Sequence, residues 1–136
     1  MKDLLPTFPG YALRRAAHAT MTELAARLAP LGMRQVDISA LMLIDANPGI
    51  TASALGRAID IQRANMVPLL KKLEDAGLVL RAPIDGKSQG LTLSDAGRDL
   101  LGHGHRVIEQ FEADLLARVP AEHRDHLLPA LNSLWR

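Results

Sequence analysis

Arg63, Ala64, Asn65, Val67, Pro68 and Lys71 are crowded into one short stretch, next to Met66, Leu69, Leu70 and Leu73. At helical spacing, about 100° per residue, the second group forms one apolar face. Ala64, Val67, Pro68 and Lys71 then point the other way, with Arg63 and Asn65 flanking them near the helix start. These residue types suit the edges of base pairs. An arginine can bond guanine, an asparagine can bond adenine, and alanine or valine can touch a thymine methyl. Lys71 and Lys72 suit phosphates, which position a protein on a duplex without specifying sequence. Gln62 at the helix entry, Thr51 and Ser53 upstream, and Arg81, Lys87 and Ser88 downstream complete the candidate set for DNA contact.

The elements that must hold these side chains can be read from residues 61–92. Gly77 follows the last helical turn, where a positive φ ends a helix at little cost. Leu78-Val79-Leu80 has a strand pattern, Asp85-Gly86 a turn, and Leu91-Thr92-Leu93 a return strand. Upstream, Thr51 is a plausible N-cap for a short helix with Leu55 and Ile59, and Asp60-Ile61-Gln62 forms a tight connection. Short helix, tight turn, second helix and charged hairpin describe a winged helix-turn-helix, a module for reading duplex DNA. The amides that open its two helices can also hold phosphates. Lys71, Lys72, Glu74 and Asp75 alone would better suit a solvated helix face. The hairpin behind them favours the DNA reading. Pro68 leaves two starts open for the helix: near Gln62, with a local distortion at the proline, or after Asn65 as N-cap. The earlier start is preferred.

The flanking sequence predicts four more helices. The chain opens with an arm holding Pro6 and Pro9, expected to be extended. A first helix over about 11–28 has Leu13, Ala17, Met21, Leu24 and Leu28 as its apolar stripe, and Pro30 and Gly32 stop it. A second covers about 35–46, with Ile38, Leu41 and Met42 inward, ended by Asn47-Pro48-Gly49. Ile50 can add a minor strand. After the hairpin, Ser94 caps a long helix to about 119, in which Gly102 and Gly104 imply close packing or a bend. Pro120 suits the first turn of a last helix bearing Leu127, Leu128, Leu131, Leu134 and Trp135. The expected architecture is mainly α with a small β-hairpin wing.

Length and composition are compatible with this. The 136 residues suffice for one domain, and 48% are apolar, which argues against disorder. Aromatic residues are 3%, too few for a stacking platform on single strands. Net charge is only +1, with +2 between Arg57 and Lys87 and −1 elsewhere. Any DNA contact must therefore rest on arrangement, not on bulk charge. The absence of cysteine removes disulfides, thiolate metal sites and cysteine redox sensing. MKDLLPTFPG has no uninterrupted apolar run of the signal-peptide kind, and no stretch approaches the roughly 20 apolar residues of a membrane span. A cytoplasmic protein is expected.

The chain resembles the MarR family of bacterial transcriptional regulators. The likeness is carried by Ile50-Thr51 with Leu55, by the run from Leu69 to Val79, by Arg81, by Asp85-Gly86-Lys87-Ser88, and by the run from Leu91 to Gly97. In order and spacing these match the family's recognition helix, wing and post-wing helix, and the flanking helices match too. The resemblance implies a single domain over 1–136, with dimerisation helices at about 11–30 and 94–136 and a winged lobe at about 35–93. It implies a homodimer on a pseudo-palindromic operator, acting as a repressor released by a small effector bound between these regions. Effector binding would change the spacing of the two recognition helices and lower operator affinity. One departure is Lys87, where the family usually has arginine. Lysine keeps the charge but loses the guanidinium fork. Asp85 is expected to steady the wing, since a carboxylate repels phosphate.

A second stripe on the first helix bears on the effector. Tyr11, Arg15, His18 and Thr22, with Arg14 at the edge, lie nearly opposite the leucine stripe. A phenol, a guanidinium, an imidazole and a hydroxyl could hold an aromatic or acidic ligand, with Met42 and Phe111 as apolar walls. The same stripe also fits a solvated face or polar contacts across a dimer. Metal and enzyme readings have less support. His103 and His105 diverge on a helix, and His123 and His126, with Glu122 and Asp125, complete no known ligand signature. No phosphate loop or nucleophile elbow occurs, so neither cofactor nor catalysis is expected. The competing class is a winged-helix protein-interaction module that lacks specific DNA binding. Salt dependence of duplex binding separates the two.

Overall fold

The computed structural model describes residues 1–136. Its elements are α1 (Pro9–Leu28), α2 (Gln35–Ala46), β1 (Ile50–Thr51), α3 (Ala52–Ala58), α4 (Arg63–Asp75), β2 (Val79–Pro83), β3 (Gln89–Leu93), α5 (Asp95–Arg118) and α6 (Arg124–Asn132). Short 3-10 turns lie at Leu5–Thr7, Ala29–Leu31 and Ala121–His123. The chain divides into two compact units, residues 25–106 and residues 1–24 with 107–136.

The 25–106 unit is the winged helix-turn-helix. Its core is Leu28, Ile38, Leu41, Ile44, Leu55, Leu70, Leu73 and Leu91, all fully or almost fully buried. The sheet order is β1-β3-β2, antiparallel throughout, with Ile50 opposite Leu91 and Val79 opposite Leu93. Local chemistry sets the joints. Thr51 Oγ1 accepts from Ala54 N at 3.2 Å and opens α3. Asp60, at φ 54°, makes the turn into α4, whose N-cap is Gln62. The earlier start is therefore the one adopted, and Pro68 lies within the helix. Gly77 takes φ 72° and Leu78 N returns to Leu73 O at 3.0 Å, which closes α4. Ser94 Oγ accepts from Gly97 N at 3.0 Å and opens α5. Of the two α5 glycines, Gly104 packs closely, since an added Cβ would stand 2.6 Å from Ile38 Cδ1. Gly102 has open space instead.

The other unit differs from expectation in two places. Residues 1–10 are not an extended arm, because Leu5–Thr7 turns and α1 already begins at Pro9. Both prolines occupy first-turn positions, where a missing N–H costs nothing. The last helix starts at Arg124, behind a 3-10 turn with Pro120 as N-cap, and it contains Pro129. Of the α1 stripe in this unit, Leu24 is covered, whereas Leu13 is 41% and Met21 53% exposed. Leu128, Leu134 and Trp135 of the C-terminal segment are 66–70% exposed.

Candidate nucleic-acid interface

In the 25–106 unit, α3, α4 and the wing enclose an open concavity of about 950 Å³. Eight of the sequence candidates line it: Thr51, Ser53, Arg63, Val67, Lys71, Arg81, Lys87 and Ser88. Each element supplies its share for a local reason. The Thr51 cap fixes the start of α3 and places Ser53 at its rim. The apolar face of α4 is buried through Met66, Leu69, Leu70 and Leu73, which turns Val67 and Lys71 outward. Gln62, Ala64, Asn65 and Pro68 are exposed around the first turns of α4 but are not in the lining.

The cations of this surface are not equivalent. Arg63, at the first position of α4, has no polar partner within the chain. Lys71 Nζ lies 2.6 Å from Asp75 Oδ2, and that hydrogen bond raises its pKa. Arg81 forks onto Glu74, a carboxylate that itself lines the concavity. Lys87 sits on the wing, where Asp85 Oδ1 accepts from the backbone N–H groups of Lys87 (3.0 Å) and Ser88 (2.8 Å). These bonds lower the Asp85 pKa and brace the turn, as expected.

Lys72 points elsewhere. Its Nζ lies 2.6 Å from Oδ2 of Asp37 on α2, and it does not line the concavity. Sequence reasoning also passed over Arg57, which lines the concavity from the last turn of α3 and donates to Ser53 Oγ at 2.9 Å. The signal available was the i, i+4 spacing of Ser53 and Arg57 on an amphipathic helix.

The effector candidates fall in both units. On α1, Arg15 Nη1 donates to Tyr11 Oη at 3.2 Å, and its guanidinium lies 6.0 Å from the ring centroid. Thr22 Oγ1 is turned back to His18 O at 2.9 Å, so its hydroxyl proton is already engaged. Arg14, Arg15, His18 and Thr22 are exposed, Tyr11 is half-buried, and Phe111 is buried. Met42, expected inward on α2, is 36% exposed and belongs to the 25–106 unit. There it lines a shallow groove of about 570 Å³ with Asp45, Ala46, Arg98, Leu101, Gly102, His105 and Arg106. Arg98, His105 and Arg106 were not among the sequence candidates. They share one face of α5 by helical spacing. No cluster of three or more histidine and carboxylate groups is placed to hold a metal ion.

Comparison with known proteins agrees with this geometry. Residues 34–86 match the model of the MarR family. The HTH-type transcriptional repressor Rv2887 of Mycobacterium tuberculosis is 33% identical over 114 residues, which are 82% of this chain and 82% of the relative. The structure of Rv2887 with salicylic acid superposes with a TM-score of 0.74 at 31% identity, covering 93% of this chain and 96% of that one. The transcriptional repressor CouR, bound to a 23-mer DNA duplex, reaches a TM-score of 0.88 at 32% identity, covering 97% of this chain and 95% of that one. CouR bound to p-coumaroyl-CoA gives the same TM-score at 30% identity, covering 100% and 97%.

Proposed function

Because this chain belongs to the MarR family of transcriptional regulators, we propose that it is a ligand-responsive, sequence-specific repressor that binds double-stranded operator DNA as a homodimer. The observation that carries the reading is the concavity formed by α3, α4 and the wing. Five cations line it, against Glu74 as the one carboxylate, in a chain whose net charge is only +1. The charge is thus concentrated where a duplex would dock. Arg63, Ala64, Asn65 and Val67 are the proposed base-reading residues. Thr51, Ser53, Arg57, Lys71, Lys87 and Ser88 are the proposed backbone contacts. Gln62 and Pro68, exposed beside that lining, are proposed as further contacts at the start of α4.

Homodimerisation is proposed through the 1–24 and 107–136 unit, where Leu13, Met21, Leu128, Leu134 and Trp135 present apolar surface with no cover in one copy. The 25–106 unit is assigned to DNA. The effector class is inferred from Rv2887 and CouR, whose ligands are salicylic acid and p-coumaroyl-CoA. An aromatic, acidic compound is the corresponding proposal here. In the 25–106 unit the candidate contacts are Met42 and the groove beside it, with Arg98 and Arg106; in the other unit they are Tyr11, Arg14, Arg15, His18, Thr22 and Phe111. Neither a cofactor nor a catalytic step is part of the reading. No helix is long and apolar enough to cross a membrane.

The test is binding to duplex DNA from the gene's own upstream region at two salt concentrations, beside Arg63→Ala. Tight, site-selective, salt-sensitive binding that the variant weakens by about 1–3 kcal/mol supports the repressor. Weak binding of the wild type, indifferent to sequence over the whole upstream region, supports a protein-interaction module instead.

A further inference from the structure

We infer that Asp37 is a positioning residue for α4, acting through Lys72, and that Lys72 is thereby withheld from the DNA backbone. The inference rests on the repressor reading for its DNA consequences, but its structural part stands alone. The Asp37 side chain is completely buried at the start of α2. Its Oδ2 accepts from Arg34 N at 2.7 Å, Arg34 Nε at 3.3 Å and Lys72 Nζ at 2.6 Å, while Oδ1 accepts from Arg34 Nη2 at 3.0 Å. The Arg34 contacts are local and close the first turn of α2. The Lys72 contact spans 35 residues and ties the last turn of α4 to α2.

Apart from the Arg81–Glu74 fork to β2, the rest of the hold on α4 is apolar, through Met66, Leu69, Leu70 and Leu73. Apolar contact selects which face is buried but has no direction of its own. It tolerates small rotations and slides that would shift Arg63 and Asn65 against a base edge. A charge-assisted bond of 2.6 Å to a fixed, buried carboxylate removes that freedom. The arrangement also separates fold from position. With Lys72 gone, Arg34 still pairs the buried carboxylate, so no orphan charge is left inside. Methionine can keep the lysine stem's packing. Lys72→Met therefore loosens α4 while sparing the fold.

The test compares wild type, Lys72→Met and Lys72→Arg on the upstream duplex and on a duplex of unrelated sequence, over a range of salt. It adds hydrogen exchange of the α4 amides in the free dimer. For Lys72→Met the expected result is about tenfold weaker specific binding, unchanged binding to the unrelated duplex, an unchanged salt slope, and faster exchange in α4. Lys72→Arg should restore most of the specific affinity. A Lys72→Met slope reduced by about 0.9 per protomer, with equal losses on both duplexes, makes Lys72 a phosphate contact and overturns the inference. Unchanged exchange in α4 overturns it too. If the wild type binds neither duplex in a salt-dependent way, the repressor reading falls. The exchange rates then decide the tie by themselves, faster exchange supporting it.

Discussion

Glu74 and Arg81 join α4 to the wing: Arg81 Nη2 lies 3.2 Å from Glu74 Oε2, and Nε donates to Oε1 of the same carboxylate. A fork of this kind fixes both side chains. One of the cations facing the concavity is therefore neutralised before any duplex arrives, and the middle of β2 is held against the end of α4.

Glu74→Gln should release Arg81 to meet phosphate. Binding to a duplex of unrelated sequence is expected to tighten, with the salt slope steepening by about 0.9 per protomer. Titrations at several salt concentrations check this. A slope no steeper than wild type would mean that Arg81 stays on the wing as a brace and adds no phosphate contact.

Acid stability should report Asp37. Burial pushes its pKa up, but the bonds from Arg34 and Lys72 outweigh burial and hold it below the ordinary carboxylate range. A depressed folded value gives stability that is present above the unfolded pKa, about 3.9, and is lost as pH falls through the folded value. Asp37→Asn is expected to cost about 1–3 kcal/mol at pH 7, as the two cations lose their charged partner. That difference should shrink steadily below about pH 4. Denaturant midpoints of both proteins from pH 7 to pH 2 measure it.

Two glycines of α5 should respond with opposite sign. A Cβ on Gly97 would stand 2.1 Å from Leu78 O, and a backbone oxygen cannot swing aside. Gly97→Ala must part Leu78, the residue before β2, from the start of α5, at a cost of about 3 kcal/mol, the upper end for overpacking. A Cβ on Gly102 meets nothing within 4 Å, so Gly102→Ala should gain up to about 1 kcal/mol from helix propensity. Thermal unfolding of the two variants beside wild type decides both.

The parts of the fold legible in the sequence were those settled over a few residues. Thr51 and Ser94 are caps, Gly77 a helix stop, Asp85-Gly86 a braced turn, and each decides its own joint. Proline was harder to place, because its effect depends on register. Pro6 and Pro9 suggested an extended arm but fall in first turns, and Pro120 precedes the last helix by a turn while Pro129 is carried inside it. Of the eight candidates that line the concavity, α4 supplies Arg63, Val67 and Lys71, which its own periodicity places. The polar ties could not be placed this way. Lys72 has the same local setting as Lys71 on an exposed-looking helix turn, and only the approach of α2 gives it Asp37. Arg81 likewise meets Glu74 only once the hairpin folds back. Arg57 was missed because its helix is too short to show a pronounced periodicity.

The thinly covered 1–24 and 107–136 unit has a consequence for how the molecule persists in dilute solution. Side chains such as Trp135, at 70% exposure, and Leu134, at 67%, gain little from folding in one copy. On the proposed homodimer, their burial happens only when two chains meet, so part of the folding free energy follows mass action. Resistance to unfolding then rises with total protein and falls as the protein is diluted. A regulator made in few copies per cell would accordingly be least stable when scarce, and its abundance would set its lifetime as well as its occupancy of a target.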